Sequence, residues 1–233
     1  MDASSLKTII LPIHREGWFF IAIAGTVTFL LALLSPILGW IGAIFTVWIA
    51  YFFRDPERTT PLKEGLIISP ADGIISAIVE NVRAPAELEF GDETWTRVSV
   101  FLNIFDVHIN RIPVSGEIIR SHYHPGKFLN ASLDKASDEN ERQVLAVKPE
   151  RGPVIVFVQI AGLIARRIRC DVSEGSQVMT GQRYGLIRFG SRVDVYLPKG
   201  MEPLVMQGQR MIGGETVIAD VNTTEMRRNG VIR

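Results

Sequence analysis

Four stretches of the chain carry residue types that can do chemistry. Ser69-Pro70-Ala71-Asp72-Gly73 offers a carboxylate in what reads as a turn. Asn103-Ile104-Phe105-Asp106-Val107-His108-Ile109-Asn110-Arg111 sets one histidine among apolar residues. Tyr123-His124-Pro125-Gly126-Lys127-Phe128 leads into a polar segment ending Asn140-Glu141-Arg142, and Arg188-Phe189-Gly190-Ser191-Arg192-Val193 places Gly-Ser inside a strand-like run. Serine, histidine and aspartate are the parts of nucleophilic catalysis. A hydroxyl is a weak nucleophile that needs an adjacent base, an imidazole with an ordinary pKa of ~6.5 accepts a proton near neutrality, and a carboxylate holds the ring in one tautomer. Each stretch also has a plainer use. Asp-Gly is a common turn pair, a lone histidine among apolar residues packs a core, and Gly-Ser recurs at Gly175-Ser176. A Ser-His-Asp hydrolase is disfavoured, because no Gly-x-Ser-x-Gly elbow surrounds Ser191.

Two kinds of element must position these residues. From Gly17 to Phe53 there is no charged residue, too long a run for one buried globular helix. Ser35-Pro36 divides it, and proline breaks or kinks a helix, so two helices are expected, about 17–34 and 37–53. A spanning helix needs ~20 apolar residues, which leaves a full hairpin and a shallower insertion both open. Lys7, Arg15, Arg54 and Arg58 flank the outer ends, while the turn is uncharged. The positive-inside rule then puts both ends on the cytoplasmic side of a cell membrane. A cleaved signal peptide would have a shorter apolar region of ~7–15 residues.

Beyond Pro61 short apolar stretches alternate with glycine and proline. Segments 66–69, 74–82, 96–102, 114–123, 143–147, 154–160 and 183–197 read as strands, and 132–142 as a polar loop or short helix. The expected fold is mainly β (α+β), a barrel-like or sandwich-like domain over 61–233 behind a membrane-associating helical hairpin over 1–60. Val178-Met179-Thr180-Gly181-Gln182-Arg183 recurs 27 residues later as Val205-Met206-Gln207-Gly208-Gln209-Arg210. The repeat resembles the paired hairpins of lipoyl-type carriers, yet neither copy has the lysine a carrier presents. With 25 basic and 25 acidic residues, nothing in the charge suggests nucleic acid. Cys170 is the single cysteine, which excludes an internal disulfide and a multi-cysteine zinc site, and it reads as a buried strand thiol. His122 and His124 share a strand face without an evident third ligand, so no metal is expected.

Together the Ser-Pro-Ala-Asp-Gly, Asp-Val-His-Ile-Asn-Arg and Phe-Gly-Ser-Arg motifs, in that order, resemble the short prokaryotic form of the phosphatidylserine decarboxylase family. The resemblance runs from Phe52-Phe53-Arg54-Asp55-Pro56 to Gly214-Glu215-Thr216. It implies a membrane-associated, pyruvoyl-dependent zymogen that cuts itself between Gly190 and Ser191. Ser191 would attack the Gly190 carbonyl, with His108 as base and Asp72 as its orienter, and glycine admits the hydroxyl closely for want of a Cβ. Elimination would then leave residue 191 as a covalent pyruvoyl group that forms a Schiff base with the serine amine of phosphatidylserine. Decarboxylation to phosphatidylethanolamine would follow, with His108 reprotonating the carbon and no pyridoxal phosphate or metal required. The resemblance also implies that chains 1–190 and 191–233 stay associated. Longer family members carry Leu-Gly-Ser-Thr at the cut, where Phe189 and Arg192 flank it here. Archaetidylserine decarboxylases are closely similar, so a diacyl or archaeal-type lipid backbone stays open, as does a homo-oligomer. Lys127, Arg142 and Arg192 are candidates for the lipid phosphate. A non-enzymatic, membrane-tethered scaffold is the alternative from a different class.

Overall fold

A computed structural model describes residues 12–126, 140–162, 167–188, 191–225 and 230. The chain divides into two compact units, Met1–Glu57 and Arg58–Arg233.

The first unit is an antiparallel pair of helices, α1 (Arg15–Leu34) and α2 (Pro36–Phe52). Ser35 is extended between them, and Pro36 opens α2 at its first position. There the missing N–H would have had no partner anyway, so the proline starts a helix rather than kinking one. Small residues let the helices approach closely: a Cβ on Gly39 would stand 2.7 Å from that of Ala32, and one on Gly42 would meet Thr28. Thr28 and Thr46 join their hydroxyls across the pair at 2.9 Å. Below the helices, His14 N–H donates to the Phe53 carbonyl and Asp55 N–H to that of Pro12. Trp18, Phe29, Leu34, Ile37, Trp40 and Ile44 are all exposed. By length and composition α1 can cross a membrane, and the 17-residue α2 is shorter.

The second unit is mostly strand, with a curled sheet forming a half-barrel. Its strands are β1 (Leu66–Ile68), β2 (Gly73–Arg83), β3 (Thr94–Leu102), β4 (Ile109–Arg111), β5 (Gly116–His124), β6 (Arg142–Lys148), β7 (Ile155–Ala161), β8 (Ile168–Cys170), β9 (Gln177–Val178), β10 (Arg183–Ile187), β11 (Ser191–Pro198), β12 (Arg210–Met211) and β13 (Val217–Asp220). Eight of them form one antiparallel sheet in the order β12-β2-β3-β11-β7-β6-β5-β9. β4-β10-β8 make a second sheet, and β1 pairs with β13. Side chains alternate between the faces of a strand. On the main sheet's inner face Val98, Val100 and Leu102 of β3, Phe157 of β7 and Val193, Val195 and Leu197 of β11 build the larger core. On its outer face Val144, Ala146, Val156, Val158, Ile160 and Tyr196 pack beneath Leu88 and Trp95.

Four glycine turns clasp two strand segments. Gly175, Gly181, Gly208 and Gly214 all have positive φ, between 78° and 84°, where a Cβ is unfavourable. Their N–H groups donate to the carbonyls of Ile118, Ile112, Ile75 and Ser69 respectively, each at 2.8 Å. The two clasped segments cross through paired bonds, Ile68 N–H to the Pro113 carbonyl and Arg111 N–H to that of Pro70. The 27-residue repeat is part of this device. In both copies the glutamine Oε1 accepts the methionine N–H, Gln182 from Met179 and Gln209 from Met206. A wider equivalence spaced by 33 residues relates Gly175 to Gly208 and Gly181 to Gly214, matching the pairing of β9 with Gly116 and Glu117 to that of β12 with Gly73 and Ile74.

One expectation is corrected. Residues 183–197 do not form one strand: β10 belongs to the second sheet, β11 to the main one, and the chain passes between sheets from Arg188 to Ser191. The short strands β4 and β13 went unread in the sequence, β8 was read only through the alternation about Cys170 and β9 and β12 only through the repeat, and residues 132–139 lie outside the described ones.

Candidate active site

Ser191 is the first residue of β11, opposite Leu102 of β3 on one side and Ala161 of β7 on the other. Both neighbours belong to the inner core, so Ser191 faces the inside of the half-barrel. It has no exposed surface, and its hydroxyl finds no hydrogen-bond partner among the described residues. Buried polar atoms are nearly always paired, so an orphan asks for an explanation. Gly190, the other half of the expected cut, lies outside the described residues, as do Phe189 and Lys127.

His108 reaches the same region by a parallel route. After Leu102 the chain leaves the main sheet through a turn closed on itself. Asp106 N–H donates to the Asn103 carbonyl at 3.0 Å, Asn103 N–H to Asp106 Oδ2 at 2.9 Å, and Phe105 N–H to Asn103 Oδ1 at 2.8 Å. The chain then enters β4 beside β10, and the His108 carbonyl accepts the Ile187 N–H. His108 therefore stands where one strand crosses between sheets, and Ser191 where the neighbouring strand crosses. The ring is 2% exposed. Its Nδ1 lies 2.9 Å from the Asp106 carbonyl. A carbonyl only accepts, so Nδ1 carries the proton in the neutral ring and Nε2 is left with the basic lone pair. Val107 and Ile109 pack with Leu186 in a separate small cluster, which turns His108 and Asn110 the opposite way.

Asp72 lies in the turn before β2, at the same end of the sheet, since Ile74 pairs with Phe101 and Leu102 with Ser191. Arg58 donates to its Oδ2 at 2.7 Å and Gly213 N–H to its Oδ1 at 2.8 Å. Asp106 has a second role beyond its turn: its buried carboxylate also pairs with Arg210, whose side chain is 61% exposed. Next to Ser191, Ala161 is fixed by Asn140 Nδ2, which donates to its carbonyl at 2.7 Å, and by the Glu141 carbonyl, which accepts its N–H.

The two described phosphate candidates stand elsewhere. Arg142 pairs with Ile160 and Arg192 follows Ser191, which places both on the outer face. Arg192 is ion-paired with Asp194 at 2.9 Å, and Arg142 donates to Glu87. Burial is the largest influence on Glu87 and pushes its carboxyl up, but the Arg142 hydrogen bond leads an opposing set that leaves it below its ordinary value. Cys170 in β8 is partly buried with Sγ–H on the Val172 carbonyl, and burial raises its thiol pKa.

Gln159 and Asn110 went unnoticed in the sequence. They join β7 to β4 by a hydrogen bond from Gln159 Nε2 to Asn110 Oδ1 at 2.8 Å, with no exposed surface on either. The period-two pattern of β7 was the available signal: Phe157, Gln159 and Ala161 share its inner face, where an amide is out of place.

The family described as Phosphatidylserine decarboxylase matches residues 45–219 of the chain. The phosphatidylserine decarboxylase proenzyme of Cereibacter sphaeroides is 58% identical over 233 residues, all of both chains. That of Paramagnetospirillum magneticum is 55% identical over 230 residues, covering 99% of this chain and 95% of its own. That of Rickettsia akari is 61% identical over 208 residues, covering 89% and 90%.

Proposed function

The chain belongs to the phosphatidylserine decarboxylase family and is an enzyme of that kind, and from this premise we propose how it makes its own catalytic group and uses it. The observation that carries the proposal is the buried, unpartnered hydroxyl of Ser191 at the passage between two sheets. Ser191 Oγ attacks the Gly190 carbonyl carbon while its proton passes to His108 Nε2. The amide C–N bond breaks, the Ser191 nitrogen takes a proton, and an ester joins Gly190 to the side chain. Loss of the Ser191 Cα proton expels the Gly190 carboxylate, ending chain 1–190. Water then replaces the nitrogen of the remaining enamine as ammonia, leaving a ketone at the head of residues 191–233. The Ser191 position fits such a group, being an interior strand end whose polar atom has no partner among the described residues.

When present, this pyruvoyl carbonyl supplies the electron sink that lets phosphatidylserine lose carbon dioxide. The protein's own part is to exclude water around residue 191 and to hold a proton on His108 for the carbon that loses its carboxylate. With the ring's Nδ1 on the Asp106 carbonyl, the part left to Asp72 in this proposal is to stabilise the charged form of His108, and Arg58 and Gly213 hold that carboxylate in place. The apolar α1–α2 hairpin attaches the enzyme to the membrane that contains its substrate, with the catalytic unit on the cytoplasmic side.

Intact mass measurement of the purified chain tests this. Wild type should give residues 1–190 and a 191–233 chain blocked by a carbonyl, while Ser191→Ala should give one uncut chain. An uncut wild type that still decarboxylates phosphatidylserine refutes the self-processing step. Release of a fatty acid or head group from an uncut chain would point to a hydrolase instead.

A further inference from the structure

Asn110 and Gln159 are built into the interior beside Ser191 and are only half used. On β7, Gln159 stands opposite Val193 and Ala161 opposite Ser191. Gln159 is therefore the diagonal neighbour of Ser191 on one face, a relation that spans about 7–8 Å between backbones. Asn110 shares its face of the strand with His108, since Val107 and Ile109 turn the other way. The bond from Gln159 Nε2 to Asn110 Oδ1 ties these pairs together. Gln159 Nε2 also lies 3.4 Å from the Arg169 carbonyl, which fixes which end of that amide is nitrogen. Two facing amides can exchange two hydrogen bonds, and these exchange one. Asn110 Nδ2 and Gln159 Oε1 are both buried without a partner among the described residues. Two apolar side chains would fill the same space without stranding a donor and an acceptor.

We propose that Asn110 and Gln159 form a clamp for the α-amino-carboxylate end of the lipid head group, with Asn110 Nδ2 donating to the carboxylate and Gln159 Oε1 accepting from the amine. The inference rests on phosphatidylserine being the substrate, and it names what recognises the serine. One free donor and one free acceptor match a carboxylate and an ammonium on the same carbon. The neutrality of the clamp suits the reaction. A cation on the carboxylate would stabilise the ground state that must be lost, whereas an amide orients it without neutralising it. An ethanolamine head, the product, keeps only one of the two contacts and is released more readily.

The test is lipid capture rather than turnover. Cleaved wild-type enzyme in detergent micelles is titrated with phosphatidylserine, with its carboxyl methyl ester and with phosphatidylethanolamine. Borohydride then fixes the lipid amine to the 191–233 chain for mass measurement, with adduct counted per carbonyl titrated by hydroxylamine. Wild type should half-saturate with the serine lipid at a concentration at least about tenfold below that for either analogue, the worth of one hydrogen bond to a charged group. Asn110→Leu should lose the preference for acid over ester, and Gln159→Met should weaken capture of all three. Equal capture of acid and ester by wild type overturns the clamp whatever the variants do, as does an Asn110→Leu enzyme that keeps the full preference. The second result would mean that the amides hold only a water. Should Asn110→Leu yield no cleaved chain, Asn110→Ser is read in the same way. Failure of the parent reading looks different, because wild type would then carry no titratable carbonyl.

Discussion

Replacing Asp106 by alanine should slow self-cleavage about 100-fold while the protein stays folded. The carboxylate is 1% exposed and does two things: it accepts the Asn103 N–H, and it pairs with Arg210. Removing it strands the Asn103 N–H in a part-buried turn at a cost of about 1–3 kcal/mol. The Arg210 side chain, 61% exposed, simply rehydrates, and exposed pairs contribute little. A loss of about 2 kcal/mol is affordable for a domain with an overall stability of about 5–15 kcal/mol. It falls, however, on the turn whose carbonyl holds His108 Nδ1. Misplacing a catalytic group by about 1 Å costs about 100-fold in rate. Asp106→Asn keeps an acceptor for Asn103 and should stay within about fivefold of wild type. The assay is a pulse of synthesis followed on a denaturing gel, with circular dichroism to verify folding. Wild-type cleavage by a folded Asp106→Ala would refute the positioning argument. The reverse order, with Asn as damaging as Ala, would move the effect from the turn to the Arg210 charge.

After cleavage, residues 191–233 should stay with the larger chain in buffer and separate only in denaturant. β11 lies between β3 and β7 in the middle of the main sheet, while β12 and β13 pair with β2 and β1. Free 191–233 in size exclusion without denaturant would contradict this. Stability should also fall in acid through Asp220, whose carboxyl is held below the ordinary range by the Lys63 hydrogen bond first and the Asn222 N–H second. A depressed folded-state pKa gives stability that is fully present above the unfolded value of ~3.9 and is lost as pH falls through the folded value. Asp220→Asn should flatten a plot of melting temperature against pH below about 4, and an unchanged slope would dismiss the contribution. Gly73→Ala should destabilise by more than about 2 kcal/mol, because φ is +150° and the new Cβ would stand 2.2 Å from the Phe101 carbonyl oxygen. Urea denaturation would show it, and a midpoint equal to wild type would refute it.

The helical hairpin was legible almost to the residue, because an uncharged run interrupted by one Ser-Pro leaves little choice. The longer strands were legible too, through alternation in β2, β3 and β5 and continuous apolar runs in β6 and β7. What escaped were the short strands β4 and β13. β9 and β12 showed only through the repeat, and glycine turns hook them onto β5 and β2. Of the candidate site, the sequence offered only the residues proposed to react. Ser191, His108 and Asp72 announce themselves by type, whereas Asp106, Asn110 and Gln159 become visible only once β4 is laid across β7. Their partners are 49 and 104 positions away along the chain, beyond the reach of any local pattern.

The misread strand over 183–197 matters most for mechanism. Had Gly190-Ser191 sat in the middle of one strand, cutting there would have broken a hydrogen-bonded ladder and loosened the site at the moment of its formation. The strand before that bond, β10, and the one that Ser191 opens, β11, lie instead in different sheets. β10 keeps its pairing with β4 and β8, and β11 keeps its pairing with β3 and β7, whether or not the chain between them is continuous. Covalent continuity is thus the one thing the passage can give up. The new chain end would begin at an interior position already fixed on both sides by Leu102 and Ala161. Ordering costs that a reactive group must otherwise meet when substrate arrives would be met here during folding. The self-cut proposed at this passage would make the catalytic group in place without taking the fold apart.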